Sequence, residues 1–142
     1  MHFIGRLQSN KVRQLAGLVD VWETIDRPSL VAEVARRAPG ATILVQVDPT
    51  GEPGKGGCEP GAVEGLVTAA RAAGLVVDGL MTVGPTVGGP DAVRPGFRTT
   101  RRLAEQLGLA TCSMGMTDDL EVAIEEGATR VRLGTALFGP RP

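Results

Sequence analysis

Side chains able to do chemistry are scarce in this sequence. Among its 142 residues there is one histidine, His2, and there are two cysteines, Cys58 and Cys112. The cysteines lie 54 positions apart, form no CxxC pair and match no zinc spacing, so no structural metal site is expected. A disulfide between them is not expected in a reducing compartment. No Ser-His-Asp or Cys-His set can be built around a lone histidine at position 2. Lysine is nearly missing too: of 15 basic residues only Lys11 and Lys55 carry an amine.

There is no basic surplus. Fifteen lysines and arginines face sixteen acids, for a formal net charge of -1, which argues against nucleic acid or an anionic membrane as a partner. No apolar run approaches the roughly 20 residues of a membrane span. The opening MHFIGRLQSNK lacks the apolar core of a secretory leader, so a cytoplasmic location is the expectation. The 42% apolar and 22% charged residues describe a globular chain long enough for one domain with its own core.

Periodicity and punctuation then divide the chain. The apolar run His2–Gly5 reads as a strand, and Ser9 is placed to cap a helix from Asn10 to Gly17. Val19–Ile25 is β-branched and aromatic, hence a strand. Asp26 and Pro28 suit a helix start, with Leu30, Val31, Val34 and Ala35 on one face. Thr42–Val47 is nearly all apolar, as in a strand buried on both faces. A helix over Glu59–Ala73, a strand over Leu75–Thr82, a loop over Gly84–Gly96 and a helix over Phe97–Leu107 follow. Leu109–Met114 is a strand, Thr117 or Asp118 caps a helix ending at Gly127, and Arg130–Leu133 is a sixth strand. Strict alternation with apolar strands predicts a parallel sheet covered by helices. Both an open doubly wound sheet and a (β/α)8 barrel have this order, and six strands fall two short of a closed barrel.

The motifs are unequal in weight. GEPGKGG, residues 51–57, fails as a phosphate loop: two residues, not four, separate Gly51 from Gly54, and glycine follows Lys55. It reads as a flexible loop. There is no GxGxxG. Asp118 and Asp119 are placed to cap a helix, and Glu125 and Glu126, near a helix C-terminus, read as solvated. The C-terminal turns are more informative. In a parallel βα barrel, SMGM at 113–116 and Gly134-Thr135 fall in the loops after strands 7 and 8, the usual phosphate site of such barrels. Backbone N–H groups at Gly115 and Gly134, with the hydroxyls of Ser113 and Thr135, suit a phosphate cradle. Arg132, two residues before Gly134, would share its face of the strand and point inward. From spacing alone, a glycine-rich strand end with a surface arginine is an equal alternative.

Three stretches carry a resemblance: HFIGRLQSNKV from residue 2, GLMTVGP at 79–85, and CSMGMTDDLEVAIEEGATRVRLGTALFGPR at 112–141. Together they resemble the pyridoxal phosphate homeostasis (YggS/PROSC) family. The resemblance implies an alanine racemase-like barrel, here an α/β, incomplete (β/α)8 TIM-type barrel with about six parallel strands alternating with helices. Residues 1–142 would form one partial domain, strands 3–8 of the family barrel. It implies pyridoxal 5'-phosphate at the C-terminal ends of the strands and no catalytic activity, but a role in carrying or balancing the free cofactor. Residue by residue, Ser113, Gly115, Gly134 and Thr135 match phosphate-binding positions, and Arg132 matches the arginine facing the pyridine nitrogen. Met81 and His2 match strand-end positions near the cofactor.

The chain departs from the family in one respect. The family's cofactor-linking lysine, in an AVSKTKP-like stretch, and the GENY-like stretch after it lie upstream of HFIG, and this sequence contains neither. Lys11 and Lys55 do not match the linking position. Any binding is therefore expected to be non-covalent, and the two sheet edges are expected to be exposed, inviting a complementing N-terminal chain or self-association. Three functions follow: a non-catalytic cofactor carrier; a truncated remnant or split-protein subunit that no longer binds covalently; and a racemase-like enzyme, which needs the lysine and a second acid-base group that this chain does not show.

Overall fold

The computed structural model describes residues 1–139. The elements alternate: β1 (His2–Phe3), α1 (Ser9–Leu15), β2 (Val21–Ile25), α2 (Pro28–Arg37), β3 (Thr42–Val47), a 3-10 turn at Pro60–Ala62 running into α3 (Val63–Ala72), β4 (Val76–Thr82), α4 (Gly89–Gln106), β5 (Thr111–Ser113), a 3-10 turn at Thr117–Asp119, α5 (Leu120–Glu125) and α6 (Thr135–Phe138). The strands form one parallel sheet in sequential order, β1-β2-β3-β4-β5. Parallel neighbours need a crossover between them, and α1 to α4 provide it.

Side chains of successive strand residues alternate between the two faces. One face meets the helices: Trp22, Ile43, Val45, Val47, Leu80 and Cys112 pack with Val12, Leu30, Val34, Val67 and Phe97 in a single core cluster. The other face carries Glu23, Leu44, Gln46, Met81 and Ser113, all buried. That face is concave. Glu23 on β2 receives a hydrogen bond from Ser113 on β5 at 2.6 Å, although a flat sheet would hold strands three apart about 14 Å from one another. The five strands therefore curl into a half-barrel.

The sequence-based expectation of six strands is corrected to five. Residues 129–132 do run beside β5: Arg130 N–H donates to the Cys112 carbonyl and Met114 N–H to the Arg130 carbonyl. Pairing stops after the single bridge Ser113–Arg130, because Gly115 adopts a φ of 98° and turns the chain out of register. Arg132 N–H then bonds to Gly115 rather than Met114. A second correction concerns Gly84–Gly96, expected as a loop. Helix α4 begins at Gly89 and runs through Pro95. Val93, Phe97, Thr100 and Ala104 are its buried stripe, at the 3.6-residue spacing that drives helix formation. Burial of Val93 outweighs the one backbone bond that Pro95 removes. A third correction is at Glu125 and Glu126. They are not merely solvated: Glu126 receives bonds from Arg94 and Arg98, both at 2.9 Å, and Glu125 pairs with Arg94 at 2.7 Å, tying α5 to α4. Both cysteines are free thiols. Among the described residues no helix is long and apolar enough to cross a membrane.

Two glycines give opposite expectations. At Gly79 on β4 an added Cβ would lie 2.0 Å from the Thr111 carbonyl oxygen, so Gly79→Ala must push β4 and β5 apart. We expect a loss of about 2–3 kcal/mol or more in urea denaturation. At Gly65, exposed in α3, the Cβ would meet nothing, and Gly65→Ala should add about 0.5–1 kcal/mol.

Candidate functional site

The C-terminal end of β4 and β5 is where polar groups converge. The Thr82 hydroxyl donates to the Val47 carbonyl at 2.9 Å, and the Thr82 carbonyl accepts from Arg132 Nη2 at 2.7 Å. Arg132 Nη1 donates to Ser113 Oγ at 2.9 Å. The Ser113 hydroxyl in turn donates to Glu23 Oε2 at 2.6 Å. The other Glu23 oxygen meets Arg130 Nη1 at 3.2 Å and His2 Nδ1 at 2.6 Å. Glu23 is 1% exposed. A carboxylate taken out of water is costly unless paired and bonded, and every one of these contacts supplies that pairing.

Burial opposes ionisation of Glu23, but the bonds from His2 and Ser113 and the charge of Arg130 outweigh it, holding its pKa below the ordinary value of 4.5. Arg132 is affected in the opposite sense to an exposed arginine: desolvation lowers its pKa, against the pull of Glu23 and Asp119. A guanidinium nevertheless stays protonated in proteins, so the inner face carries two buried or half-buried cations around one carboxylate.

The loops above this face are shaped by two glycines. Gly115 has a positive φ, and an added Cβ there would lie 2.4 Å from the Ala123 Cβ, so no other residue permits the turn. Asp119 closes the turn by accepting the Met116 N–H at 2.5 Å. Gly134 leads into α6, is exposed, and an added Cβ would meet no atom within 4 Å. The backbone at Gly134 therefore opens onto free space. The Thr117 hydroxyl oxygen accepts the Ala136 N–H at 3.2 Å, tying the start of α6 to the turn after β5.

The residues singled out in the sequence are brought together unevenly. Ser113, Gly115, Arg132, Gly134 and Thr135 all lie on or just after β5 and its neighbouring segment. Met81 is buried and stands opposite Ser113 in the β4–β5 register. His2 joins only through Glu23. The expected inward turn of Arg132 is present, although no strand carries it. The Ser113 hydroxyl is committed to Glu23 and Arg132 rather than aimed at Gly134. Lys55 is half-buried and bonded to the Gly84 carbonyl and Glu52. Sequence reasoning missed Glu23, Arg130 and Thr117. A signal for Glu23 existed: an acid two places from the start of the strand VWETI, where all but the first residue are buried.

The depressed Glu23 pKa has a defined consequence. A carboxyl whose folded pKa lies below its unfolded value contributes stability that is complete above about pH 4.5 and is lost as pH falls through the lower folded value. Urea denaturation between about pH 3 and 6 should show this loss in the native protein. Glu23→Gln should be less stable at neutral pH and show a shallower acid limb.

Comparison with known proteins agrees with this architecture. Residues 2–142 match the family model described as alanine racemase, N-terminal domain. The pyridoxal phosphate homeostasis protein of Aquifex aeolicus is 45% identical over 99% of this chain and 66% of its own length. That of Pseudomonas aeruginosa is 40% identical over 99% of this chain and 64% of its own. The chain thus spans 64–66% of the length of these curated relatives. The solved structure of Synechococcus elongatus PipY without pyridoxal phosphate superposes with a TM-score of 0.90 at 29% identity, covering 97% of this chain and 70% of that one. PipY with pyridoxal phosphate bound superposes with a TM-score of 0.80 at 26% identity, covering 97% and 69%. By fold and these matches, the chain belongs to the alanine racemase N-terminal domain family.

Proposed function

We propose that this chain binds pyridoxal 5'-phosphate in a non-catalytic homeostasis or carrier role. The observation that carries the reading is Arg132, held by the Thr82 carbonyl and Ser113 Oγ at the end of β4 and β5, next to the open backbone at Gly134. Relatives named pyridoxal phosphate homeostasis proteins, and a PipY structure that holds the cofactor, support it. In this reading Gly115, Gly134 and Thr135 supply donors to the phosphate, and Ser113 supports Arg132 from behind. Met81 and His2 border the ring side. When bound, the cofactor supplies an aldehyde and an electron-withdrawing ring. A guanidinium facing the ring nitrogen keeps that nitrogen unprotonated and weakens the ring as an electron sink, which suits holding over reacting. Binding by these 142 residues is non-covalent, since neither lysine lies among the site residues.

Titration of the purified chain with pyridoxal phosphate, followed by absorbance and equilibrium dialysis, tests this. Saturable binding is expected, with Arg132→Leu and Gly134→Val each raising Kd by about tenfold or more. Borohydride treatment and mass spectrometry should label neither Lys11 nor Lys55. No saturable binding, or one equivalent of label on either lysine, would overturn the reading.

A second component is favoured by one observation. Ile4 after the edge strand β1, and Leu137 and Phe138 on α6 beyond β5, are 51%, 67% and 85% exposed. β1 is the outer strand at one end of the sheet, and an edge strand of this kind captures other strands, while exposed apolar side chains such as Leu137 and Phe138 favour a covering partner. Light scattering of the purified chain should show concentration-dependent self-association, or rescue from it by a complementing segment; a stable monomer at all concentrations excludes both.

A further inference from the structure

We propose that Glu23 is a positioning residue for the ligand site: its ionised carboxylate orients the Ser113 hydroxyl, and through it the Arg132 guanidinium. The inference rests on the reading that Arg132 faces the ligand, and adds the group that sets its place.

The argument is one of donors and acceptors. Arg132 can only donate, and it donates to Ser113 Oγ. Ser113 has one hydroxyl proton. With its oxygen accepting from Arg132, that proton must go elsewhere, and Glu23 Oε2 takes it. On the other side, Arg130 and His2 meet Glu23 Oε1, and Arg130 is again donor-only. The residue at position 23 must therefore accept on both of its terminal atoms. A carboxylate does so. An amide does not: with its oxygen toward Arg130, its NH2 would point at Ser113 Oγ, which already receives Arg132. The Ser113 proton would lose its acceptor and have to turn away from position 23. The contact also spans the concave face from β2 to β5, so the position of Arg132 depends on a strand three places away in the sheet. Glu23 is buried, and its contact with Arg132 runs through Ser113.

The charged and titratable groups facing Glu23 are His2 from β1, Arg130 from the segment beside β5, and Arg132 through Ser113. Glu23→Gln keeps volume while removing one acceptor. Two readouts separate positioning from mere core filling. The first is the Arg132 side-chain N–H resonance in the ligand-free protein, assigned by its disappearance in Arg132→Lys. The second is the ratio of affinities for pyridoxal phosphate and inorganic phosphate, because phosphate alone reads the loop donors while the whole cofactor also reads Arg132. We expect Glu23→Gln to shift and broaden the Arg132 resonance and to lower the affinity ratio about tenfold. Ser113→Ala, which leaves Glu23 its bonds to His2 and Arg130, should do the same, and the double variant should be no worse than Ser113→Ala alone. If Glu23→Gln fails to fold, Glu23→Asp, which keeps both acceptor oxygens but draws them back from Ser113 by one methylene, decides by the same two readouts. An unchanged resonance and ratio in the folded variants, or additive losses in the double variant, would overturn the proposal. A native protein that binds phosphate but not pyridoxal phosphate would instead overturn the ligand reading, while the ligand-free resonance still decides the role of Glu23.

Discussion

A buried carboxylate has to be paid for in partners, and that requirement organises the concave face of this half-barrel. Glu23 lies on β2, yet its partners come from β1, from β5 and from the segment that follows α5. Removing Arg130 would leave the carboxylate without its arginine partner in a place water barely reaches. The curl of the sheet and the network are thus mutually dependent: the sheet must bend for Ser113 to meet Glu23, and the meeting holds the bend.

The opposite face follows a different rule. Between sheet and helices the packing is apolar and needs no direction, only fit. Trp22 shows the contrast. It is fully buried and stands next to Glu23 in sequence, with its ring 6.1 Å from that of Phe3. Neighbouring residues on one strand therefore serve separate purposes, the even position filling the core and the odd one bearing charge into the barrel.

The loops at the C-terminal end of the strands are positioned by backbone constraints more than by side chains. Position 115 must be glycine, because its φ is positive and the Ala123 side chain sits where a Cβ would go. That turn ends β5, displaces the pairing of residues 129–132, and so decides where Arg132 and Gly134 emerge. A fold that could have closed a sixth strand gives up regular pairing there and gains an open, donor-rich turn.

Much of this was readable in one dimension. Alternation of apolar strands with helices identified a parallel α/β fold, since only buried parallel strands carry runs like TILVQV. The spacing of SMGM and RLGT placed Ser113, Gly115 and Arg132 on neighbouring segments at one end of the sheet, and there they lie. Helix α4 was only half visible: its glycines and prolines are local signals of a loop, whereas the burial that overrides them involves residues far away. The missing sixth strand was hidden because Arg130–Leu133 has strand composition, and the turn at Gly115 that breaks its register lies on the neighbouring segment. Glu23 was invisible as a site residue because its meaning lies in partners 21, 90 and 107 positions away. Local pattern determined the elements and the loop donors, since both depend on backbone preferences. The tertiary structure alone decided the buried charge network, because pairing a charge is a matter of what space brings together.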